Sequence, residues 1–351
     1  MRDTMQDRHV KPRHRIEALI PGWHVESFEG LTRPDWLALR QKDVTASEIG
    51  CLFGDLRYLT PLALYHRKLL GEADNPNAMM IRGRVMEPAA ARLVETEMPE
   101  LRYVPATGLG LLTREDSYLR LRTDDALIKI GATKDYQIRV SAGALGQAFS
   151  RLGVAMPEDW RGDPERILAL SLELKTVAEG AYMAHWRMGP PRQYVLQALT
   201  QAMLGGDDGA ILAAMVVTPS LSLRLLLYPI PRNFDAELGL VDRARSFWED
   251  FSAQRVPDVQ AKDNKIVGDV YPAVEGRVVD LSEEPEWQEL AAQRESDRKL
   301  IASLTTTVEG AEARLKQRMG SAQEAIIPGW VCTWRQNKKA RPLVLRRRTD
   351  R

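Results

Sequence analysis

The stretch Ile167-Leu168-Ala169-Leu170-Ser171-Leu172-Glu173-Leu174-Lys175-Thr176-Val177 is the part of this chain that says most about its fold. Its short, apolar and partly alternating pattern predicts a buried strand. Because alternate side chains of a strand share a face, Glu173 and Lys175 point the same way, roughly 6–7 Å apart along the strand. An acid and a base on an otherwise apolar strand are costly unless they pair or face an opening. Taken alone, the pair also fits an exposed salt bridge on an amphipathic strand.

The segments around this strand predict an α/β fold. Short apolar runs predict further strands at 108–112, 118–122, 126–130, 210–218 and 223–228. Helical spacing predicts helices at 83–98, 190–205 and 238–251, together with shorter pieces between 32 and 71. Helices followed by strands, then a helix and two more strands, indicate one mixed sheet flanked by helices.

Composition divides the chain into three parts. Residues 1–27 are polar and basic and are expected to form a flexible arm. A core is expected at 28–260, with an insertion at 131–166 that serves either as a DNA-contacting flap or as decoration. The C-terminal part, 261–351, is expected to hold an amphipathic helix and a basic β-hairpin. That helix would bind a partner or another copy, or pack on the core, and the basic end would reach phosphates or remain solvated.

Bulk properties exclude several classes of protein. The net charge of +1 is too small for a protein that coats DNA through charge alone. Two cysteines, far apart, provide neither a disulfide framework nor a four-cysteine zinc or iron–sulfur site. No apolar run reaches the roughly 18 residues of a membrane span, and the charged N-terminus does not resemble a secretory signal. We therefore expect a protein of a reducing cytoplasm that makes no membrane contact.

Acidic residues recur at positions that would surround the Glu173–Lys175 pair. Asp124 and Asp125 stand at the mouth of the predicted strand 126–130, and Glu87 lies on a predicted helix. Each acid alone fits a turn or a solvated helix end. The order acid, acid, Glu-x-Lys and then a helix is nevertheless the layout of a two-metal phosphodiesterase.

Converging carboxylates need neutralisation, since like charges raise each other's pKa. A hard divalent cation with oxygen ligands meets that need, and Mg²⁺ suits it best, with Mn²⁺ as a substitute. Zinc is not expected, because the five histidines have no paired ligand spacing.

With these residues the sequence resembles the phage lambda exonuclease and YqaJ-type viral recombinase family of PD-(D/E)xK nucleases. The resemblance runs from Trp36 to Thr218 and, more weakly, to the C-terminus. In chain order its motifs fall on Trp36–Arg40 with Thr45–Glu48, Gly83–Glu87, Asp124–Ala126, Glu173–Lys175 and Tyr194–Gln197. The usual Pro-Asp-Gly is replaced by Asp124-Asp125-Ala126, so Asp124 competes with the favoured Asp125 as a metal ligand.

The resemblance implies a restriction-endonuclease-like fold and a role for each motif residue. Asp125, Glu173 and the backbone carbonyl of Leu174 would bind Mg²⁺, with help from Glu87. Lys175 would orient or deprotonate the attacking water, and Gln197 would position that lysine or the water. Arg40, Ser47 and Tyr194 would hold the DNA phosphate, which suits a fork-shaped cation and a hydroxyl.

The implied activity is Mg²⁺-dependent exonucleolytic hydrolysis of linear duplex DNA, from 5′ to 3′, which exposes single strands for phage-type homologous recombination. The implied partners are double-stranded DNA ends, a single-strand annealing protein and further copies of the chain in a ring trimer. Two other functions remain open: a site-specific or structure-specific endonuclease on the same fold, and a catalytically inert DNA-binding recombination protein.

Overall fold

The computed structural model describes residues 16–56, 58–71, 78–113, 117–134, 136–336 and 340–348. The chain divides into two compact units, Met1–Pro272 and Ala273–Arg351. The fold is mixed α/β, as the sequence predicts, but the described residues of the first unit form two sheets where one was expected. None of the described helices combines the length and the apolar character that crossing a bilayer requires.

The described strands are β1 (His24–Phe28), β2 (Val44–Thr45), β3 (Gly110–Thr113), β4 (Tyr118–Arg122), β5 (Ile130–Thr133), β6 (Tyr136–Ser141), β7 (Ile167–Ala178), β8 (Gly209–Val217), β9 (Leu223–Pro231), β10 (Glu324–Ile327), β11 (Trp330–Trp334) and β12 (Leu343–Arg347). The described α-helices are α1 (Arg33–Gln41), α2 (Pro61–Leu70), α3 (Ala78–Glu97), α4 (Ala142–Arg151), α5 (Glu179–His185), α6 (Arg192–Gly205), α7 (Phe234–Ser252), α8 (Asn264–Val270) and α9 (Pro285–Met319).

A five-stranded sheet in the order β3-β6-β7-β8-β9 carries the Glu173–Lys175 strand. Strands β7 and β8 are parallel, and the other neighbours are antiparallel. Almost every residue of β8 is buried, as expected of a central strand covered on both faces. Helices α5 and α6 form the crossover that a parallel pair requires.

Different helices cover the two faces of β7. Leu172 packs in an apolar cluster with Val94 of α3. The opposite face is covered by α6, whose Leu199 belongs to a second apolar cluster. Because strand side chains alternate between faces, Glu173 and Lys175 lie on the α6 face, opposite Leu172.

A four-stranded sheet in the order β1-β4-β5-β2 lies before β6 in the chain. Strand β1 pairs along its whole length with β4, and Ile16 is fully buried. The prediction of a flexible arm over 1–27 is therefore wrong from residue 16 onward, while residues 1–15 lie outside the described part. The predicted strand 126–130 is also wrong, because residues 124–127 form bends and turns before β5 begins.

A buried ionic group ties β4 to the chain that follows α1. Asp43 accepts hydrogen bonds from the Arg120 guanidinium at 2.8 Å and from the Tyr118 hydroxyl at 2.9 Å. Tyr118 lies so close to Gly131 of β5 that a Cβ on Gly131 would collide with the phenol oxygen. Only a glycine fits at position 131 without displacing this ring.

The segment 131–166, which the sequence marks as an insertion, is an integral part of the architecture. It contains the end of β5, the whole of β6 and helix α4. Strand β6 pairs with β7 over six residues, from Tyr136–Leu172 to Ser141–Ile167. Removing this segment would therefore expose the edge of β7, so its interpretation as decoration is wrong. Its interpretation as a DNA-contacting flap stays a prediction.

The helix boundaries follow from capping residues. Thr32 and Thr60 accept backbone N–H groups at the starts of α1 and α2, each followed by a proline in the first turn. Gly206 ends α6 in the left-handed conformation, with φ of 63°. Helix α3 starts at Ala78 and continues through Pro88, earlier than the predicted start at 83.

The boundary of the C-terminal part lies later than predicted. Residues 261–270 belong to the first unit, where the Thr60 hydroxyl donates to buried Asp263. The second unit contains α9, which confirms the predicted long helix, and a β10-β11-β12 sheet. Strands β11 and β12 form the predicted antiparallel hairpin. Apolar side chains of α9, including Ile301 and Leu304, are exposed.

Candidate active site

Glu173 lies at the centre of a buried hydrogen-bonded group. Its side chain is 2% exposed, and each carboxylate oxygen accepts from a different glutamine of α6. The Gln197 amide donates to Oε1 at 2.9 Å, and the Gln201 amide donates to Oε2 at 2.7 Å. The Lys175 ammonium lies 2.5 Å from Oε1. Charge-assisted hydrogen bonds of this kind offset the cost of burying a carboxylate.

The Lys175 ammonium lies against one ring of a stacked aromatic pair, Tyr194 and Trp186. It lies 4.9 Å from the ring centroid of Tyr194, close enough for a cation–π contact. The Tyr194 ring stacks on Trp186 with centroids 5.3 Å apart. The sequence assigns Tyr194 to the phosphate, whereas its described ring contacts are with the lysine and with Trp186.

Helical spacing explains why α6 supplies three of these side chains. Residues 194, 197 and 201 follow one another at steps of three and four, so they share one face of the helix. That face looks onto β7, and Leu196 and Leu199 on neighbouring positions pack in the apolar cluster. The sequence analysis did not predict Gln201 as a site residue. The helical spacing of Tyr194 and Gln197 nevertheless places Gln201 on the same face of α6.

The described pairings of β7 run along its two sides. Its pairing with β6 is described from Ile167 to Leu172, and its pairing with β8 runs from Leu170 to Ala178. The predicted Leu174 carbonyl lies on the stretch that pairs with β8, where Leu174 is opposite Ala213.

The two predicted phosphate-binding residues lie side by side. The Arg40 guanidinium donates to the Ser47 hydroxyl at 3.4 Å, and its Nε is buried with no hydrogen-bond partner among the described residues. Arg40 also stacks on the Trp36 ring, 4.4 Å from its centroid. A partly buried guanidinium with a spare donor is suited to an anionic oxygen.

Glu48, next to Ser47, supports this region through a buried ion pair. Its carboxylate contacts the Lys68 ammonium at 2.8 Å and accepts the Thr45 backbone N–H at 3.0 Å. Burial opposes ionisation, but the positive charges of Lys68 and Arg40 outweigh it and lower the pKa of Glu48 to about 2. Glu48 therefore stays charged at neutral pH and holds the loop that carries Ser47.

The phosphate-binding pair and the Glu173 group are connected through β5. The Trp36 indole N–H donates to the Thr133 hydroxyl at 3.0 Å, and the Thr133 carbonyl accepts from the Gln201 amide at 3.1 Å. Arg40 stacks on Trp36, and Gln201 donates to Glu173, so contacts run continuously between the two groups. Residues far apart in sequence are thus brought into one region.

Asp125 has a different environment from the Glu173 group. It lies in the turn between β4 and β5, where it contacts the Arg245 side chain of α7 at 2.6 Å. The hydrogen bond from Arg245, followed by the Leu127 backbone N–H, lowers the pKa of Asp125. Both partners are solvent-accessible, and Asp124 beside them is exposed. No described contact joins Asp125 to Glu173, so its role as a metal ligand stays a prediction.

The predicted carboxylates do not form a complete metal site within the described residues. Glu87 is half-buried on α3, the helix whose Val94 packs on the Leu172 face of β7. Among the described side chains, no group of three or more Asp, Glu, His or Cys residues is arranged to hold a metal ion. The Glu173 carboxylate is a hard oxygen donor of the kind that Mg²⁺ prefers.

A second buried charge network, also missed in the sequence, supports the same strand. Asp207, 1% exposed, contacts the Lys134 ammonium at 2.5 Å and accepts from the Ser171 hydroxyl at 2.6 Å and the Gln137 amide at 2.8 Å. Ser171 lies two residues before Glu173, on the same face of β7. The network therefore fixes β6 and β7 relative to the end of α6, just beside the site.

Comparison with known proteins leaves the family open. No family model and no curated protein matches the chain. Among solved structures, LHK-Exo in complex with dAMP aligns with a TM-score of 0.41 and 17% identity, covering 63% of this chain and 94% of that one. The alkaline exonuclease LHK-Exo from Laribacter hongkongensis gives 0.40 and 18% over the same shares. The protein SSO0001 gives 0.34 and 14%, covering 66% and 86%. Scores at this level assign neither a family nor an activity to the chain.

Proposed function

We propose that this chain is a divalent-metal-dependent DNA exonuclease of the PD-(D/E)xK kind, acting on the ends of linear duplex DNA. The observation that carries the proposal is the Glu173–Lys175 pair, held by two glutamines of α6 and connected through Thr133 to Arg40. A buried acid, a lysine beside it and a guanidinium with a free donor are the groups that phosphodiester hydrolysis requires.

Each side chain has a task that its contacts support. Arg40 and Ser47 bind the phosphate and stabilise the charge that develops on it. Lys175 donates a hydrogen bond that orients the attacking water, while the Tyr194 ring keeps the ammonium in place. Gln197 orients the Glu173 carboxylate. We assign Tyr194 to the lysine and not to the phosphate because of this ring contact.

Glu173 and the Leu174 carbonyl would hold a Mg²⁺ ion, with Mn²⁺ as a substitute and Glu87 in support. When bound, the ion would supply Lewis-acid stabilisation of the phosphoryl oxygens. Two aspartates compete as the second carboxylate. Asp125 is the residue that the motif suggests, but its partner is Arg245. The other, Asp135, lies outside the described residues.

Asp135 is nevertheless the better proposal because of its neighbours in the chain. Thr133, two residues before it, accepts from Gln201, which also donates to Glu173. Tyr136, the residue after it, pairs with Leu172 at the end of the β6–β7 ladder. Both neighbours therefore lie beside the Glu173 group, whereas Asp125 precedes Thr133 by eight residues.

The direction of digestion, 5′ to 3′, and the use of the exposed strand for phage-type recombination belong to the same proposal. So do a single-strand annealing partner and a ring of three copies. These four features follow from the sequence resemblance alone, and the contacts of the site do not bear on them.

Digestion of end-labelled linear duplex DNA with Mg²⁺ or EDTA tests the proposal, with a closed circle and Lys175→Met protein alongside. We expect Mg²⁺-dependent shortening of the linear DNA, an intact circle, and a loss of about 100- to 1,000-fold in the variant. The label that is released first reports the direction. Cutting of the circle would favour the endonuclease, and DNA binding without cleavage under any divalent ion would favour the inert recombination protein.

A further inference from the structure

Gln201 lies where the two sheets of the first unit meet at the site. Its amide nitrogen donates to the carbonyl of Thr133, the last residue of β5, at 3.1 Å. The same nitrogen donates to Oε2 of Glu173 on β7 at 2.7 Å. The side chain is 3% exposed, so one buried amide connects a strand of the four-stranded sheet to a carboxylate of the five-stranded sheet.

Thr133 extends this connection toward the phosphate-binding residues. Its hydroxyl accepts from the Trp36 indole N–H at 3.0 Å, while its carbonyl accepts from Gln201. The Trp36 ring lies between two guanidinium groups, 4.3 Å from that of Arg33 and 4.4 Å from that of Arg40. A shift of Trp36 on α1 therefore reaches Glu173 through two hydrogen-bonded residues.

The orientation of Glu173 depends on Gln201 for a physical reason. Gln197 and Lys175 both approach Oε1, so among the described contacts Gln201 provides the donor on Oε2. Losing that donor leaves a buried carboxylate oxygen without its described hydrogen bond, and the carboxylate is then held at Oε1 alone. The Gln201 Oε1 atom is buried without a partner among the described residues, so the donor bonds alone fix the amide.

We propose that Gln201 is a positioning residue that fixes the Glu173 carboxylate, and that Trp36 and Thr133 couple it to the phosphate-binding residues. The proposal rests on the proposed nuclease function and assigns a residue that none of the motifs contains. Partners that orient a metal-binding carboxylate without touching substrate typically change metal affinity or activity by about 10- to 100-fold.

The first test is Gln201→Met, which keeps the length of the side chain and removes its donor. We expect kcat to fall about 10- to 100-fold while KM for DNA ends changes little, because Arg40 and Ser47 are untouched. Mn²⁺ affinity, measured by calorimetry without DNA, should fall at least about tenfold. The matched control is Thr200→Val, which removes a buried hydroxyl whose described hydrogen bond is to the Leu196 carbonyl within the same helix, and which should leave both values unchanged.

The second test examines the coupling. Trp36→Phe keeps an aromatic ring beside Arg40 and removes the indole N–H that reaches Thr133. We expect it to lower kcat several-fold in the wild-type background and to have no further effect on kcat in Gln201→Met, since residues of one network are not additive. Additive losses would overturn the coupling, whatever the single effects.

The outcomes separate this inference from the proposed function. A wild-type protein that cleaves DNA, with a Gln201→Met variant equal to it in kcat and Mn²⁺ affinity, overturns the positioning role alone. A wild-type protein that cleaves nothing removes the function, and Mn²⁺ affinity then decides by itself whether Gln201 positions Glu173. Should Gln201→Met fail to fold by circular dichroism, Thr133→Val and Trp36→Phe test the same connection from its other end.

Discussion

The Glu173 group and the Asp125 turn are both acidic and both contact a basic side chain, yet they differ in almost every physical respect. Glu173 is 2% exposed and is held by two neutral amides as well as Lys175. The Asp125 carboxylate is 34% exposed, and its basic partner Arg245 is 47% exposed. A buried, oriented carboxylate is prepared for chemistry, whereas an exposed pair is screened by solvent and contributes little. The burial and hydrogen bonding of a carboxylate in the folded chain therefore say more about its role than its place in a sequence motif does.

Replacing each of the two candidate aspartates, Asp135 and Asp125, by asparagine would test this contrast most directly. The Asp135 variant should show the largest loss of DNA cleavage. We expect Asp135→Asn to lower cleavage of linear DNA by at least about 100-fold and Asp125→Asn to remain within about tenfold of wild type. Cleavage assays over a range of Mg²⁺ concentrations distinguish a lost ligand from a weakened one. The reverse ranking would restore Asp125 as the metal ligand.

A smaller but substantial effect should come from the ion pair beside Ser47. The pKa of Glu48 is about 2 in the folded protein, below its ordinary value of 4.5. Its stabilising contribution, about 3 kcal/mol from the size of this shift, is therefore complete above pH 4.5 and is lost as the pH falls toward 2.

Glu48→Gln should destabilise the protein at pH 7 by about 3–5 kcal/mol, since it leaves Lys68 buried without its carboxylate. The variant should also flatten the pH dependence of stability between 4.5 and 2. Urea unfolding at several pH values measures both effects. Glu26→Gln, which removes an exposed pair with Arg122, is the matched control and should change little. Equal losses of stability in the two variants would show that burial does not determine the contribution of these ion pairs.

The smallest effect is expected at the Asp125 turn. Arg245→Gln removes the guanidinium that lowers the pKa of Asp125. We expect the thermal midpoint to change by less than about 2 °C and DNA cleavage to remain at the wild-type level. Differential scanning calorimetry and the end-labelled assay are sufficient. A large loss of cleavage would mean that Arg245 or Asp125 contacts the substrate. The Asp125 turn would then take part in the reaction as the Glu173 group does.

The sequence predicts the sheet well where periodicity is decisive. Strand β7 and helix α6 end within two residues of their predicted bounds, because apolar residues alternate in one and recur at helical spacing in the other. The predicted strand 126–130 fails for a local reason. The Asp125 carboxylate accepts a hydrogen bond from the Leu127 backbone N–H, and the Thr123 hydroxyl donates to the Asp125 carbonyl. These side-chain bonds stabilise a turn, whereas the apolar residues Leu127 and Ile128 are typical of a strand.

The site itself was predictable in part. Glu173, Lys175 and Gln197 lie together as their spacing indicates, and Arg40 lies beside Ser47. Helical spacing also marks Gln201, but its bond to the Thr133 carbonyl could not be found in this way, because that bond depends on two sheets approaching each other. Lys134 and Asp207 form a buried pair across 73 residues of chain, and no local pattern announces such a partner.

The three donors around Glu173 also bear on whether the protein needs a metal ion in order to fold. Proteins whose ligands repel one another until an ion arrives fold only when that ion is supplied. Here the carboxylate is already neutralised and hydrogen-bonded by residues of the chain itself. On the proposed function, synthesis under metal starvation should therefore yield an intact but inactive protein that gains activity when the ion is restored, without passing through the unfolded state.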